Sequence, residues 1–350
     1  MFQRQKDTKI LVPLDGSKRA ERALPVAARI ARACGGSVVL LRAVTIPIKY
    51  EPYMYESIVS QSPIFLQQVL DLETEKLKQY LADIARSEDL MDLKTETITL
   101  TGEAAPTILD VAREQHIDLI VMSSHGHTGF KRWVLGSVAQ RVARHSPVPV
   151  LVLRDGGSLP THSFPDPKRP LRALMALVTL DGSELAESAL VPAAQLITAL
   201  AAPAQGIVQL TQVISFPASE HHEAAQGNTD LYAKEQAICE AESYLHEVAD
   251  RLRSGNITDL HIGVVCSIAE GKDVAEALIR LAEHGEAMES TGLLGGCDLL
   301  VMATHGRSGL QRWIMGSVTE RVLEATKLPV LIVHACRSDE APHGHLPLIE

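Results

Sequence analysis

The chain has 350 residues, 46% of them apolar and only 4% aromatic, enough for two cores built from Ala, Leu, Val and Ile. A formal net charge of −10 argues against a general nucleic-acid binder, whose electrostatic footprint is basic. Pairs such as Lys131-Arg132 suit no more than isolated phosphate contacts.

Met1 to Thr8 is polar and gives no sign of a secretory signal. The first strand is expected over Ile10 to Leu14, with Ser17 as N-cap of a helix that carries Ala20, Ala23, Leu24, Ala27, Ile30, Ala31 and Cys34 on one face. Pro25 falls early in that helix, where it bends the axis, and Gly35-Gly36 ends it. Val38 to Val44 reads as the second strand. After the polar and aromatic stretch Tyr50 to Pro63 comes a long amphipathic helix with Leu66, Val69, Leu70, Leu77, Tyr80, Leu81 and Ile84. Strands follow at Thr95 to Leu100 and Asp118 to Met122, separated by a short helix with Pro106 near its start and its end near Glu114. Gly136-Ser137 opens the next helix, and Val148 to Leu153 is the fifth strand.

The same order then repeats. Ser124 to Val142 and Thr304 to Val322 share ten of nineteen residues, where chance gives about one. The two tryptophans of the chain, Trp133 and Trp313, fall on equivalent positions, and Leu14-Asp15-Gly16-Ser17 is echoed by Leu180-Asp181-Gly182-Ser183. Second-copy strands are expected at Ala173 to Leu180, Ile207 to Val213, Leu260 to Val265, Leu299 to Met302 and Val330 to Val333, with Ile238, Tyr244, Leu245, Val248 and Leu252 on the long helix. The uncharged segment Ala189 to Val208 contains Pro192, Gln195, Pro203 and Gln205, and reads as a buried helix and turn rather than a membrane span. The offset between copies grows from 166 residues at the aspartates to 180 at the glycine loops, and the fourteen extra residues are expected between His284 and Gly296.

Strands alternating with helices of ten or more residues imply right-handed crossovers and a parallel sheet. The fold class is therefore α/β, two tandem doubly wound, Rossmann-like domains with five parallel strands each. The first domain is expected over 1–155, a linker rich in proline over 156–170, the second domain over 171–337 and a flexible tail over 338–350. Cys34, Cys239, Cys266, Cys297 and Cys336 are scattered and odd in number, with neither disulfide density nor zinc-type spacing, which suits a reducing cytoplasm.

Open α/β sheets bind ligands beyond the carboxyl ends of their strands, where strand order reverses. If strands one and four are neighbours, Asp15 and the loop His125-Gly126-x2-Gly129-x6-Gly136-Ser137 meet in one crevice. Gly126 and Gly129 allow tight turns that bring N–H groups to a ligand, and Gly136-Ser137 offers the positive end of a helix. That combination fits a polyphosphate, with Asp15 on a ribose or base donor. The plain alternative is that these glycines only turn and cap the chain.

The pattern of small residue, x2, Gly, x9, Gly-Ser after a Val-Met strand, with Val12-Pro13-Leu14-Asp15 at the first strand end, resembles that of the universal stress proteins over nearly the whole chain. It looks like their tandem, two-domain type with the adenine nucleotide alpha hydrolase-like fold. The resemblance implies a site for ATP or another adenine nucleotide, with or without Mg. In the first copy it would comprise Pro13, Asp15, Ala43, Met122, Ser123, Gly126, Gly136, Ser137 and Val138, with Gly129 as an extra glycine. In the second it would comprise Asp181, Ala303, Gly306, Gly316, Ser317 and Val318, with Gly309 as the extra. This chain departs from the family motif at its first glycine, replaced by Ser123 and Ala303, and at the strand-end proline, which is Thr179 in the second copy. The first site is accordingly expected to be the better one.

Other candidates have simpler readings. His125, His127 and His305 lack converging partners and suit loop hydrogen bonds, and His343 and His345 lie in the tail, so no metal site is expected. Arg132-Trp133 and Arg312-Trp313 read as helix-face structure. No P-loop lysine or nucleophile elbow is present, so no catalytic residue is expected and any hydrolysis would be slow. Val148-Pro149-Val150 and Leu328-Pro329-Val330 each start what reads as an edge strand. The family resemblance implies that these edges pair the two domains into an internal pseudo-dimer, which could dimerise again. The leading function is a cytoplasmic stress-response protein that binds adenine nucleotide and acts through occupancy or assembly. The rivals are an interaction module with degenerate sites and an enzyme of the nucleotide alpha hydrolase kind. Membrane and nucleic-acid partners are not expected.

Overall fold

The structure is a computed structural model that describes residues 8–44, 63–124, 135–154, 159, 173–215, 227–258, 260–285, 296–304 and 315–334. In the first copy the elements are β1 (Lys9–Pro13), α1 (Lys18–Glu21), α2 (Ala23–Cys34), β2 (Ser37–Val44), α3 (Pro63–Ala85), β3 (Thr95–Thr101), α4 (Ala104–Glu114), β4 (Leu119–Ser123), α5 (Ser137–His145) and β5 (Val150–Leu153). The second copy repeats them as β6 (Met175–Leu180), α6 (Glu184–Glu187), α7 (Leu190–Ala201), β7 (Ile207–Ile214), α8 (Gly227–Arg253), β8 (Gly263–Glu270), α9 (Val274–His284), β9 (Leu299–Ala303), α10 (Ser317–Ala325) and β10 (Val330–Val333).

Each copy is doubly wound, with strand order 3-2-1-4-5 in the first and its counterpart in the second, and the two sheets join edge to edge into one of ten strands. All neighbours are parallel except the seam, where β5 and β10 run antiparallel with Val330 opposite Val152, Leu331 opposite Leu151 and Ile332 opposite Val150. The edge strands of the two domains thus pair with each other, as expected, and become the central pair of the joined sheet. Pro149 and Pro329 stand just before them, where a missing N–H removes no seam bond. Because side chains alternate across a strand, each run divides between two cores. Ile10, Val12, Leu40 and Val121 face α2 and α3, with Ala176, Val178 and Leu210 of the second copy in the same cluster. Leu11, Val39, Leu41 and Met122 face α4 and α5, together with Leu177, Leu300 and Ile332. Both cores thus run through the seam.

The first expected helix is two helices. Ser17 caps α1, accepting from the Ala20 N–H at 3.1 Å, and the chain breaks at Arg22 before α2. Pro25 is the third residue of α2, and its missing N–H denies Glu21 an i→i−4 bond, so the bend becomes an interruption. Pro192 does the same as third residue of α7, a helix buried over nine of its twelve residues. The fourteen extra residues do not all lie in one place. The copies are offset by 170 at β2 and β7, by 170 at α4 and α9 and by 180 at β4 and β9. Only ten therefore enter before β9. The eighth strand also starts later than its apolar run, since pairing with all of β7 sets its span from Gly263 to Glu270. Among the described residues no helix is long and apolar enough to cross a membrane.

Candidate functional site

The strand ends that reverse order are β1 with β4 and β6 with β9. Pairing stops at Leu11 opposite Ile120 and at Val178 opposite Val301, so the last residues of these strands diverge and open a crevice in each copy. Past each crevice the chain turns through Asp-Gly-Ser. Gly16 and Gly182 hold φ of +80° and +83°, the left-handed region that a side chain strains. Asp15 Oδ1 accepts from the Ser17 N–H at 3.0 Å and from its hydroxyl at 2.6 Å, and Asp181 and Ser183 repeat both bonds at the same distances. Each aspartate is thereby fixed at the lip of its crevice by the cap of the helix behind it.

The other lip is the start of α5 or α10. The Gly136 N–H donates to the Ser124 carbonyl at 2.8 Å and the Gly316 N–H to the Thr304 carbonyl at 2.8 Å, which closes each glycine loop at its base. Both N-cap glycines have extended backbone and no side chain that could accept from the first turn. Gly316 is needed for closeness rather than for left-handed backbone. A Cβ there would lie 3.3 Å from the Thr304 carbonyl oxygen. Gly126, Gly129, Gly306 and Gly309 lie outside the described residues, as do His125, His127, His305, the two Arg-Trp pairs and the tail histidines.

In the second copy a cavity of about 290 Å³ fills the crevice. Thr179, Leu180, Asp181 and Ala186 line it from the strand end and α6, Val213 from β7, and Val274 and Leu278 from α9. Met302, Ala303 and Thr304 line it from β9, and Gly316, Ser317, Val318 and Thr319 from α10. The expected residues Asp181, Ala303, Gly316, Ser317 and Val318 are thus brought together. Their first-copy counterparts Pro13, Asp15, Ala43, Met122, Ser123, Gly136, Ser137 and Val138 occupy the matching positions on β1, β2, β4 and α5.

Sequence reasoning missed Thr179, Val213 and Met302 as site residues, although they answer to Pro13, Ala43 and Met122 of the first copy. Superposing the copies strand by strand finds them. Val274 and Leu278 carried no such signal, because only the packing of α9 on the sheet puts them on the wall. Thr319 adds a tie special to this copy, its hydroxyl donating to the Ala303 carbonyl at 3.1 Å where the first copy has Ala139. The result is an apolar slot with one carboxylate at one lip and a helix N-terminus at the other.

A second polar cluster backs each aspartate. Tyr80 donates to Glu21 at 3.2 Å and Tyr244 to Glu187 at 3.1 Å, and burial, then the neighbouring glutamate charge, pushes both phenols well above their ordinary range. The cation of the cluster comes from different elements. In the first copy it is Arg42 of β2, which donates to the Leu14 carbonyl at 3.0 Å; burial lowers its pKa and the charge of Asp15 opposes that shift. In the second, Gln212 takes that strand position and Arg251 of α8 pairs with Glu187 instead.

The model of the universal stress protein family matches twice, over residues 8–154 and 175–334. Universal stress protein YxiE of Bacillus subtilis is 29% identical over 146 residues, 42% of this chain and 98% of its own length. A Mycobacterium tuberculosis universal stress protein is 25% identical over 252 residues, 69% of each chain. Among solved structures, a universal stress protein from Archaeoglobus fulgidus covers 94% of this chain and 98% of its own, with a TM-score of 0.56 at 19% identity, which bears on the fold alone. Two family matches, each enclosing one aspartate turn and one Gly-Ser helix start, account for the repeated architecture, and the chain belongs to the universal stress protein family as a tandem of two such domains.

Proposed function

We propose that this chain binds ATP or another adenine nucleotide at its strand-end crevices and acts in the cytoplasm in stress response through occupancy or assembly rather than turnover. The observation that carries the reading is the second-copy cavity. It joins an apolar slot of base-like character to an uncapped helix N-terminus and, opposite, an aspartate held by its turn. Among the described residues that line it, Asp181 is the one ionisable side chain, so binding groups are present without a general acid-base pair. Magnesium, if it accompanies the phosphates, would sit on them rather than in a protein cage.

Equilibrium binding of ATP to the intact chain tests the proposal, with Gly136→Asp and Gly316→Asp to place a carboxylate at each phosphate end. Saturable binding is expected, each substitution weakening its own site at least tenfold. A preparation without co-purifying nucleotide and a melting temperature unmoved by excess ATP would instead identify an interaction module. Sustained phosphate release at about 1 per second or faster would overturn the assignment of occupancy over turnover.

A further inference from the structure

The two lips that carry the aspartates differ in charge. After the turn the first copy continues into α1 as Lys18-Arg19-Ala20-Glu21-Arg22, and the second into α6 as Glu184-Leu185-Ala186-Glu187-Ser188. On the neighbouring strand Arg42 of β2 is replaced by Gln212 of β7, and Ser87, just after α3, by Arg251 of α8. With its aspartate, the first lip holds four cations and two carboxylates, a net +2. The second holds one cation and three carboxylates, a net −2.

These charges sit on the site itself. Ala186 of α6 lines the second cavity, and Glu184 lies between it and Asp181 along the chain. In the first copy Arg42 donates to the carbonyl of Leu14, next to the site aspartate, and a Cβ at Gly16 would lie 3.7 Å from both terminal nitrogens of its guanidinium. Lys18 pairs with Glu21 and Arg251 with Glu187, so that glutamate is matched in both copies. Setting those pairs aside, Asp15 stands among Arg19, Arg22 and Arg42, and Asp181 beside Glu184. The long helices behind the lips keep the same sense, with a formal charge of −2 over α3 and, apart from Arg251, −4 over α8. The opposite lips are alike. Arg141 pairs with Glu103 and Arg321 with Asp273, and Lys272, inserted in the second copy, is offset by Glu270 in place of Thr101. Glu320, in place of Gln140, is matched by Arg144.

We propose that the two crevices sort adenine nucleotides by phosphate charge, the first favouring the triphosphate over the monophosphate more strongly than the second, with Lys18, Arg19, Arg22 and Arg42 set against Glu184. The inference rests on the nucleotide-binding reading above. A cleft between low-dielectric walls focuses the field of the charges around it. A helix N-terminus attracts phosphate in both copies, so the contrast lies in how far each site prefers ATP to AMP.

The preference is measured by equilibrium binding of ATP and of AMP in Mg-free buffer, where ATP carries about two more negative charges. The full chain is used with either site weakened, by Gly316→Asp to read the first or Gly136→Asp to read the second. At an ionic strength of about 0.01 M the preference should be about tenfold larger at the first site, the order expected of four charges acting through water on two. At about 1 M it should be the same at both, because the screening length falls to about 3 Å. The exposed Lys18→Glu should lower the preference of the first site about threefold, and the exposed Glu184→Lys should raise that of the second as much, each being half the charge difference. Equal preferences at low salt would overturn the inference while leaving nucleotide binding intact. So would a contrast that salt does not reduce, or charge exchanges that change ATP and AMP affinity equally. Binding of neither nucleotide to the unsubstituted chain would remove the underlying reading and this inference with it.

Discussion

Ser17 and Ser183 each hold two jobs with one hydroxyl, donating to the site aspartate and accepting from the third backbone N–H of the following helix. Ser17→Ala or Ser183→Ala should therefore cost about 1 kcal/mol of stability as a lost cap, read by urea denaturation. On the proposed function each should also weaken nucleotide binding at its own site, which a nucleotide titration of the variant would reveal. Tyr80 and Tyr244 offer a second check at this scale. Burial and the adjoining carboxylate hold both phenols protonated beyond the ordinary range near 10. In an absorbance titration of the folded protein these two of the six tyrosines should ionise last, and Glu187→Gln should advance Tyr244 toward the others. A Tyr244 that ionises with the exposed rings would contradict the packing of α8 over α6.

At the scale of elements, the cavity wall depends on how α9 is held. Asp273 caps it by accepting from the Glu276 N–H at 3.1 Å and pairs with Arg321 of α10, next to Val274 on the cavity wall. The backbone bond first, and Arg321 second, hold its carboxyl below the usual range. A depressed carboxylate stabilises the fold above its unfolded value, near 3.9, and that contribution is lost as pH falls through the folded value. Asp273→Ala should lower the melting temperature at pH 7, and the gap to the unsubstituted protein should close as the solution is taken below about pH 4. A gap that is constant down to pH 3 would mean the charge plays no part.

At the scale of the molecule, two domains share both cores. Leu331 and Leu151 face each other across the seam with no exposure, in the cluster that also holds Ile10 and Val178. Arg154 crosses the seam to the carbonyls of Thr326 and Glu324, and Arg144 reaches Glu320 of the other domain. Such an interface leaves neither domain a complete surface of its own. Heat unfolding should appear as one calorimetric transition, and Leu331→Ala, costing about 2–5 kcal/mol as a core truncation, should move all of it downward. Two separated transitions, with only the second displaced, would show that the copies fold independently.

Much of this was legible in the chain. Periodicity placed the strands and helices, the Asp-Gly-Ser and Gly-Ser echoes marked both lips of each crevice, and Pro25 marked a bend where the structure has a break. These signals are local, since backbone freedom, capping and side-chain alternation act within a few residues. Three things depended on tertiary structure. Tertiary structure decided the antiparallel register in which the expected pairing of β5 and β10 is made, because naming two edges does not say which residues stand opposite. Packing of α9 decided that Val274 and Leu278 face the cavity. Strand register decided that Gln209, Thr211, Ser267 and Cys297, spread over two strands and the approach to a third, lie in one hydrogen-bonded neighbourhood. The sequence by itself determined a tandem of two α/β domains of one family. Only the contacts between distant strands decided the register in which the two sheets join and which side chains line each crevice, because a side chain's neighbours across a sheet are set by pairing, not by proximity along the chain.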